Sequence, residues 1–207
     1  MSLTLWGRGR TANVQKVTWC LAELGIDYIH NERAAEIQAA HDVAYLAIKK
    51  ADFVPVLDHD GFVLWEGNAI VRYLLEIYGA PPFWPTDPKA RADAGRWMDY
   101  QLSTIRGHIH PLMRETPDLE QAARHAVKIG EAMTVLERAL DTQPYLVGDE
   151  FTAGDIPIGI VTYRWLLLDI ERPPLPNVEA WNERLQQRTA FRATVSPPQE
   201  TITPLKL

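Results

Sequence analysis

A proline-rich stretch at residues 79–88, GAPPFWPTDP, places the strongest constraint on how this chain folds. Proline lacks a backbone N–H and its ring clashes with the preceding helical turn, so no helix runs through this stretch. The apolar pattern also changes there. Short apolar runs mixed with helical periodicity precede it, and helical periodicity dominates after it. We therefore predict two domains, residues 1–78 and 89–207, joined by a linker at 79–88.

The first domain is predicted to be a small α/β domain, because strand-like and helical segments alternate in it. Gly25 is the expected C-cap of its first helix, and Asp58–Gly61 is the expected hairpin turn between two short strands. The predicted elements are strands at 3–6, 28–30, 54–57 and 62–65 and helices at 11–24 and 68–78.

The second domain is predicted to be an all-α helical bundle. Apolar residues recur at helical spacing over 98–112 and over 119–140, which predicts two long, antiparallel neighbouring helices. Asp118 is the expected N-cap of the second of them. Thr152 and Asp155 have the spacing of a capping box and predict the start of a third helix.

Composition excludes several classes of function. The formal net charge is −6 and no basic run is present, so nucleic acid is not expected as a partner. The chain has one cysteine, which excludes an intramolecular disulfide framework and fits a reducing, cytoplasmic location. No stretch approaches the roughly 20 apolar residues of a membrane helix, and the N-terminus lacks the apolar core of a signal peptide.

The corner Glu66-Gly67-Asn68 joins a predicted strand to a predicted helix within FVLWEGNAIVRYL, residues 62–74. Free backbone N–H groups at a helix start suit an anion, and the adjacent carboxylate of Glu66 suits a cation. Together they suit a zwitterion, such as the α-amino acid end of a small ligand.

These segments resemble the cytosolic glutathione transferases of bacterial type, with a hydroxyl (Ser or Thr) active site. The resemblance is carried, in the order of the family, by LTLWGR, NVQKVTWCLAELGIDY, FVPVLDHDGFVLWEGNAIVRYLLEIYG, LVGDEFTAGDIPIG and PNVEAWNERLQQRTAFR. It implies a thioredoxin-like domain followed by an all-α domain, in a homodimer. It also implies an enzyme that stabilises the glutathione thiolate and conjugates it to a small hydrophobic electrophile, with glutathione as co-substrate.

The resemblance places Thr11 where hydroxyl-type relatives carry their catalytic serine. A hydroxyl donor at a partly positive helix N-terminus stabilises a thiolate and lowers the pKa of the thiol. The residues alone leave an alternative open, because threonine is a favoured N-cap and Thr11 then only caps the helix. Asn13 is a second candidate donor on the same turn. No Cys-x-x-Cys motif stands here, so a dithiol mechanism is not expected.

The resemblance also implies glutathione-binding residues. Val54-Pro55 resembles the family's cis-proline step, in which the backbone of Val54 pairs with the cysteinyl backbone of glutathione. The alternative interpretation of this step is that Pro55 only ends an edge strand. Glu66 is expected to bind the γ-glutamyl ammonium, and the N–H of Gly67 its carboxylate. The alternative for Glu66 is a favourable charge at a helix N-terminus. Asp99 is expected to reach across the dimer toward the same ammonium.

Two departures from the family pattern predict weakened glutathione binding. Gly67 stands where relatives carry serine, and a lost hydrogen bond to a charged group costs about 1.5–3 kcal/mol. Asp52 stands near the expected position of the glycyl carboxylate, where like charges repel. Lys49 or Lys50 is expected to offset that repulsion, and the other interpretation of these lysines is a solvated loop face.

No metal is predicted, because His108 and His110 are two residues apart and face different sides of a helix. Two other functions stay open at this point. One is a glutathione-dependent isomerase or dehalogenase on the same fold. The other is a non-catalytic transferase-like binding protein with weakened glutathione affinity, which Gly67 and Asp52 favour.

Overall fold

The computed structural model describes residues 2–32, 54–113 and 118–196. The chain divides into two compact units, Met1–Gly79 and Ala80–Leu207. The first combines a mixed four-stranded sheet with helices and the second is helical, so the predicted fold class is confirmed.

The sheet of the first unit consists of β1 (Leu3–Trp6), β2 (Ile29–Asn31), β3 (Val56–His59) and β4 (Phe62–Trp65), in the strand order β2-β1-β3-β4. β1 pairs with β2 in parallel and with β3 antiparallel, and β3 and β4 form an antiparallel hairpin. Leu5 and Leu57 lie opposite each other on the central strands and are fully buried, which fixes the register of the sheet. The helices of this unit are α1 (Ala12–Leu24) and α2 (Gly67–Tyr78).

The hairpin turn is confirmed, and it is tighter than the predicted four residues. His59 pairs with Phe62, so Asp60 and Gly61 alone make the connection, with φ of 51° and 90°. Asp58 accepts a hydrogen bond from the N–H of Gly61 at 2.7 Å. β3 begins at Val56 rather than at Val54, which leaves Val54 and Pro55 just before the strand.

Helix α1 is the buried helix of the first unit. Thr11 is its N-cap, which is one of the two roles left open for it, and Gly25 is its C-cap with φ of 65°, as predicted. Residues Val14 to Leu21 are all buried, so this helix lies in the core along most of its length. Cys20 is fully buried, and burial raises the pKa of its thiol, so it is a core residue and not a nucleophile.

The second unit contains helices throughout. The predicted helix over 98–112 is not continuous, because a π-helical segment at Gln101–Ile105 interrupts it. In this turn Gln101 is buried and Leu102 is 40% exposed, whereas the apolar spacing predicts the reverse. The helices are α3 (Pro88–Tyr100), α4 (Arg106–Leu112), α5 (Leu119–Ala139), α6 (Asp155–Leu166), α7 (Pro176–Gln187) and α8 (Thr189–Thr194).

Asp155 holds the start of α6 in place. Its carboxylate accepts hydrogen bonds from the N–H of Thr152 at 2.9 Å, the N–H of Leu146 at 3.0 Å and the indole N–H of Trp181 at 2.9 Å. Burial raises the pKa of Asp155, and these hydrogen bonds act in the opposite direction. The hydroxyl of Thr152 accepts from the N–H of Gly154, so Thr152 and Asp155 both bond to nearby backbone N–H groups. The helix begins at Asp155 with Gly154 as its N-cap, so Thr152 lies before the cap and does not occupy the N-cap position of the predicted capping box.

Asp118 caps α5 as predicted, accepting from the N–H groups of Glu120 and Gln121. None of the helices in the described ranges is both long enough and apolar enough to cross a bilayer.

Candidate functional site

The end of β1 brings Val54 close to the start of α1. Gly7 follows β1 with φ of 142°, and a Cβ placed on it would lie 2.6 Å from Cγ2 of Val14 and 3.2 Å from Cβ of Val54. Only a residue without a side chain fits between these two valines. Sequence patterns did not indicate this role for Gly7, because it depends on a contact between distant segments.

Thr11 occupies the amino end of α1 with its hydroxyl already engaged. The hydroxyl donates to the carbonyl of Arg8 at 3.1 Å and accepts from the N–H of Val14 at 3.4 Å. The N–H of Thr11 also bonds to the Arg8 carbonyl, at 3.0 Å. The structure therefore shows the capping role that was left open for Thr11. A hydroxyl has one proton, so donation to a ligand requires release of the Arg8 carbonyl.

The peptide bond between Val54 and Pro55 is cis, as the resemblance implies. Pro55 is buried and Val54 is 37% exposed. The backbone of Val54 lies outside β3, so the ladder of the sheet does not use it.

Glu66 forms the corner between β4 and α2 in an unusual backbone conformation. Its φ is 73° and its ψ is 112°, a region that costs a non-glycine residue on the order of 1–3 kcal/mol. Its side chain is exposed and makes no capping hydrogen bond, while its carbonyl accepts from the N–H of Ile70 at 2.9 Å. The side chain thus makes no capping hydrogen bond that offsets the backbone strain, and strained corners of this kind are typical of ligand-binding positions.

Gly67 is the first residue of α2 and lies directly against α1. A Cβ placed on it would be 2.9 Å from the carbonyl oxygen of Asn13 and 3.4 Å from Cδ of Lys16. The contact is with backbone, which does not move aside cheaply. The absence of a serine here is therefore a packing requirement as well as the loss of a hydroxyl.

Lys16 is a residue of this region that sequence analysis missed. It is 1% exposed, which is rare for lysine, and its aliphatic stem passes beside Gly67. Its spacing of three and four residues from Asn13 and the buried Cys20 places these three on one face of α1. This spacing is the sequence feature from which the position of Lys16 on that face could have been predicted.

The first unit brings most of the predicted site residues together. Gly7 lies between Val54 and Val14 of α1, and Gly67 of the corner lies against the carbonyl of Asn13 in the first turn of α1. Asp99 lies exposed on α3, in the other unit. Lys50 lies outside the described residues, as do Lys49 and Asp52.

The arrangement suits a zwitterion beside a thiol. The amino ends of α1 and α2 each carry partial positive charge, and the exposed carboxylate of Glu66 lies at the second of them. In the ranges 2–32, 54–113 and 118–196, no three His, Cys, Asp or Glu side chains are grouped as a metal site would need.

Comparisons with known proteins identify the class. The family model for the glutathione S-transferase N-terminal domain matches residues 1–76, and that for the C-terminal domain matches 98–189. Glutathione S-transferase GstB of Escherichia coli (strain K12) is 37% identical over 205 residues, which cover 95% of this chain and 99% of that protein.

Solved structures of glutathione S-transferases are also similar to this chain. The theta class glutathione S-transferase of Xanthomonas axonopodis pv. citri, with glutathione bound, is 39% identical with a TM-score of 0.84. The match covers 94% of this chain and 97% of that one. Glutathione transferase F7 of Populus trichocarpa, at 22% identity and a TM-score of 0.80 over 94% and 98%, shares the fold.

The chain belongs to the glutathione S-transferase family. The predicted family and the predicted arrangement of a thioredoxin-like domain before an all-α domain are confirmed.

Replacement of Gly67 by alanine is expected to destabilise the protein by about 1–3 kcal/mol, because the added Cβ overlaps the Asn13 carbonyl. The measurement is urea-induced unfolding followed by circular dichroism. Gly107→Ala is the matched control. No atom lies within 4 Å of a Cβ at this helical glycine, so alanine there should stabilise by about 0.5–1 kcal/mol. If Gly67→Ala and the wild type have the same free energy of unfolding, the packing of α1 against α2 accommodates a methyl group at residue 67.

Proposed function

We propose that this chain, a glutathione transferase that uses glutathione as its co-substrate, ionises the thiol at the amino end of α1 and conjugates it to a small hydrophobic electrophile. One observation carries the proposal. The contact between Gly67 and Asn13 places the carboxylate-bearing corner of α2 against the helix turn that begins at Thr11.

One set of contacts binds the γ-glutamyl end and the cysteinyl backbone of glutathione. Glu66 pairs with the γ-glutamyl ammonium, and the N–H of Gly67 donates to the neighbouring carboxylate at the start of α2. The unused backbone of Val54 pairs with the cysteinyl backbone, beside the buried Pro55. The relative from Xanthomonas holds glutathione in its crystal structure, which supports the same ligand here.

Two further residues complete the proposed binding set. Lys50 offsets the charge of Asp52 near the glycyl carboxylate, as the sequence suggests. Asp99, exposed on α3, reaches the γ-glutamyl ammonium bound to a second copy of the chain.

Catalysis consists of thiol ionisation and positioning. The free thiol of glutathione is mostly protonated at neutral pH, and the partial positive charge at the start of α1 favours its anion. The thiol proton passes to solvent, and the Thr11 hydroxyl turns from the Arg8 carbonyl to donate to the sulfur. The sulfur then forms a bond to the electrophilic carbon, and the leaving group departs with its bonding pair. No covalent bond to the enzyme forms.

The protein acts as a homodimer in the cytoplasm in this proposal. Phe62 and Trp65 lie on the edge strand β4 and are 51% and 45% exposed, and apolar edge residues of this kind favour a partner surface. The one cysteine, buried and un-ionised, requires no oxidising compartment.

Replacement of Glu66 by glutamine should weaken glutathione binding by about ten- to hundredfold, because a charged hydrogen bond is worth about 1.5–3 kcal/mol. Stability should stay the same, since the side chain is exposed and caps nothing. Isothermal titration calorimetry with reduced glutathione measures the affinity, with Glu183→Gln on the exposed face of α7 as control. Wild-type protein that binds no glutathione at millimolar concentration would instead favour the non-catalytic binding protein.

Replacement of Thr11 by alanine should raise the pKa of the bound thiol by about 1 to 2, because a hydrogen bond to the thiolate is lost. Thr11→Ser should keep the wild-type pKa. Thr11→Gly separates the two roles of this residue, since glycine replaces a cap at a cost of a few tenths of a kcal/mol but supplies no donor. Ultraviolet absorbance of the thiolate, titrated against pH, gives the pKa. If Thr11→Ala leaves it unchanged, Asn13 becomes the candidate donor and Asn13→Ala is the next variant.

Sedimentation velocity should give the mass of a dimer for the wild type. Phe62→Glu combined with Trp65→Glu should shift it toward the monomer, because two charges then lie on an apolar edge. A wild-type monomer at micromolar concentration would contradict the homodimer.

A further inference from the structure

We infer that His108 and His125 form an acid-sensitive latch that holds helix α4 against helix α5. We call these two residues the histidine latch. It is closed while one ring donates a hydrogen bond to the other, and it opens when both rings are protonated. The inference does not depend on the proposed function, because neither histidine belongs to the proposed glutathione site.

The two rings of the histidine latch meet where α4 packs against α5. Nδ1 of His108 lies 3.0 Å from Nδ1 of His125. The ring centroids are 5.3 Å apart, and the ring planes are tilted by 44°. Both side chains are half-buried. A hydrogen bond at this distance needs a proton on one nitrogen and a lone pair on the other.

The number of protons on the two rings decides whether this bond exists. A neutral imidazole carries one N–H and one lone pair, so two neutral rings can make the bond. Two rings with one extra proton can also make it, because the neutral ring still presents a lone pair. With two extra protons, N–H faces N–H. The bond is then lost, and two cations repel each other at short range.

Helix α4 is the element that this repulsion would release. It has only seven residues, it follows the π-helical segment, and Pro111 within it has no N–H to donate. Side-chain contacts therefore hold it in place. Ile109 and Leu112 are buried on it, and the bond between the two rings adds a polar contact to α5.

The charges that act on His108 come from α5. Burial lowers the pKa of His108, and the charges of His125 and Lys128 lower it further, whereas the charge of Glu131 raises it. Lys128 and Glu131 pair with each other at 2.9 Å, so their effects oppose each other at close range. Arg124, next to His125, pairs with Glu120 at 3.1 Å. His125 is therefore the charge that decides whether His108 takes up a proton.

The other elements packed against α4 and α5 do not add to these charges. The π-helical segment has no titratable side chain. On α4 itself, Arg106 and His110 are each two residues from His108, so they face other sides of the helix. The charges that act on His108 also exclude those of the titratable side chains of α6 and α7, which are Asp155, Tyr163, Arg164, Glu179, Glu183 and Arg184.

Acid should therefore open the latch. The closed form holds the pKa of His108 below its ordinary value of 6.5, so the open form binds more protons below that pH. The stability of the closed form is fully present above about pH 6.5 and is lost as the pH falls through the lowered pKa.

Amide hydrogen exchange measures the opening of α4. When the pH is lowered from about 7.5 to about 5.5, protection of residues 107–112, corrected for the intrinsic exchange rate, should fall about tenfold in the wild type. Protection of residues 129–136 in α5 should change less. His125→Gln should remove most of the fall, because glutamine stays uncharged. His110→Gln, on the exposed side of α4, is the matched control and should keep the wild-type fall.

Nuclear magnetic resonance of the histidine ring nitrogens, titrated over the same pH range, measures protonation itself. The rings of the latch should take up their two protons in separate steps, and His108 should titrate at a higher pH in His125→Gln than in the wild type. The second step in the wild type should coincide with the loss of protection in α4.

An equal loss of α4 protection in the wild type and in His125→Gln overturns the inference. A wild type that keeps its α4 protection at the lower pH also overturns it. If His125→Gln does not fold, the wild type alone decides the question. A second proton taken up on the two rings without any change in the amide signals of α4 then overturns the latch.

Discussion

The close contact between the first turns of α1 and α2 determines where the candidate site lies. Gly67 meets the backbone of Asn13 at a distance that leaves no room for a side chain. This contact sets the spacing between Thr11, at the proposed thiol end of the site, and Glu66, at its proposed zwitterion end. A change of a few tenths of an ångström here alters both ends together, because helix backbones move as rigid units.

Two residues of the candidate site affect the free energy of ligand binding in opposite directions. Glu66 holds a backbone conformation that glycine tolerates better, and its exposed side chain makes no capping hydrogen bond that offsets this cost. Thr11 uses its single hydroxyl proton on the Arg8 carbonyl, a bond that is lost when the proton is donated to a ligand. A ligand that pairs with Glu66 would offset the first cost, and one that accepts from Thr11 would replace the second bond. Affinity for glutathione is therefore a balance between new bonds and one lost hydrogen bond, and not a sum of new bonds alone.

The sequence predicted features that local chemistry controls. Caps at Thr11, Gly25 and Asp118 depend on neighbouring residues, and so does the Glu66-Gly67 corner. Features that depend on contacts between distant segments were missed. The fit of Gly7 between two valines requires the packed unit, and no spacing rule contains it. The spacing of Lys16 along α1 places it on the same face as Cys20, but its burial follows from that spacing only once this face is known to be buried. The π turn was missed because a continuous apolar repeat over 98–112 also fits an unbroken helix.

Asp155 has a consequence for how the chain is synthesised. One of its partners, the indole of Trp181, follows it by 26 residues. Until that indole has left the ribosome, a carboxylate destined for full burial lacks one of its donors, and the favourable choice is to keep it hydrated. Nascent chains that end before Trp181 should therefore hold α6 loosely. Completion of the helical unit then becomes a late, post-exit event, whereas the four strands of the described sheet all lie within the first 79 residues.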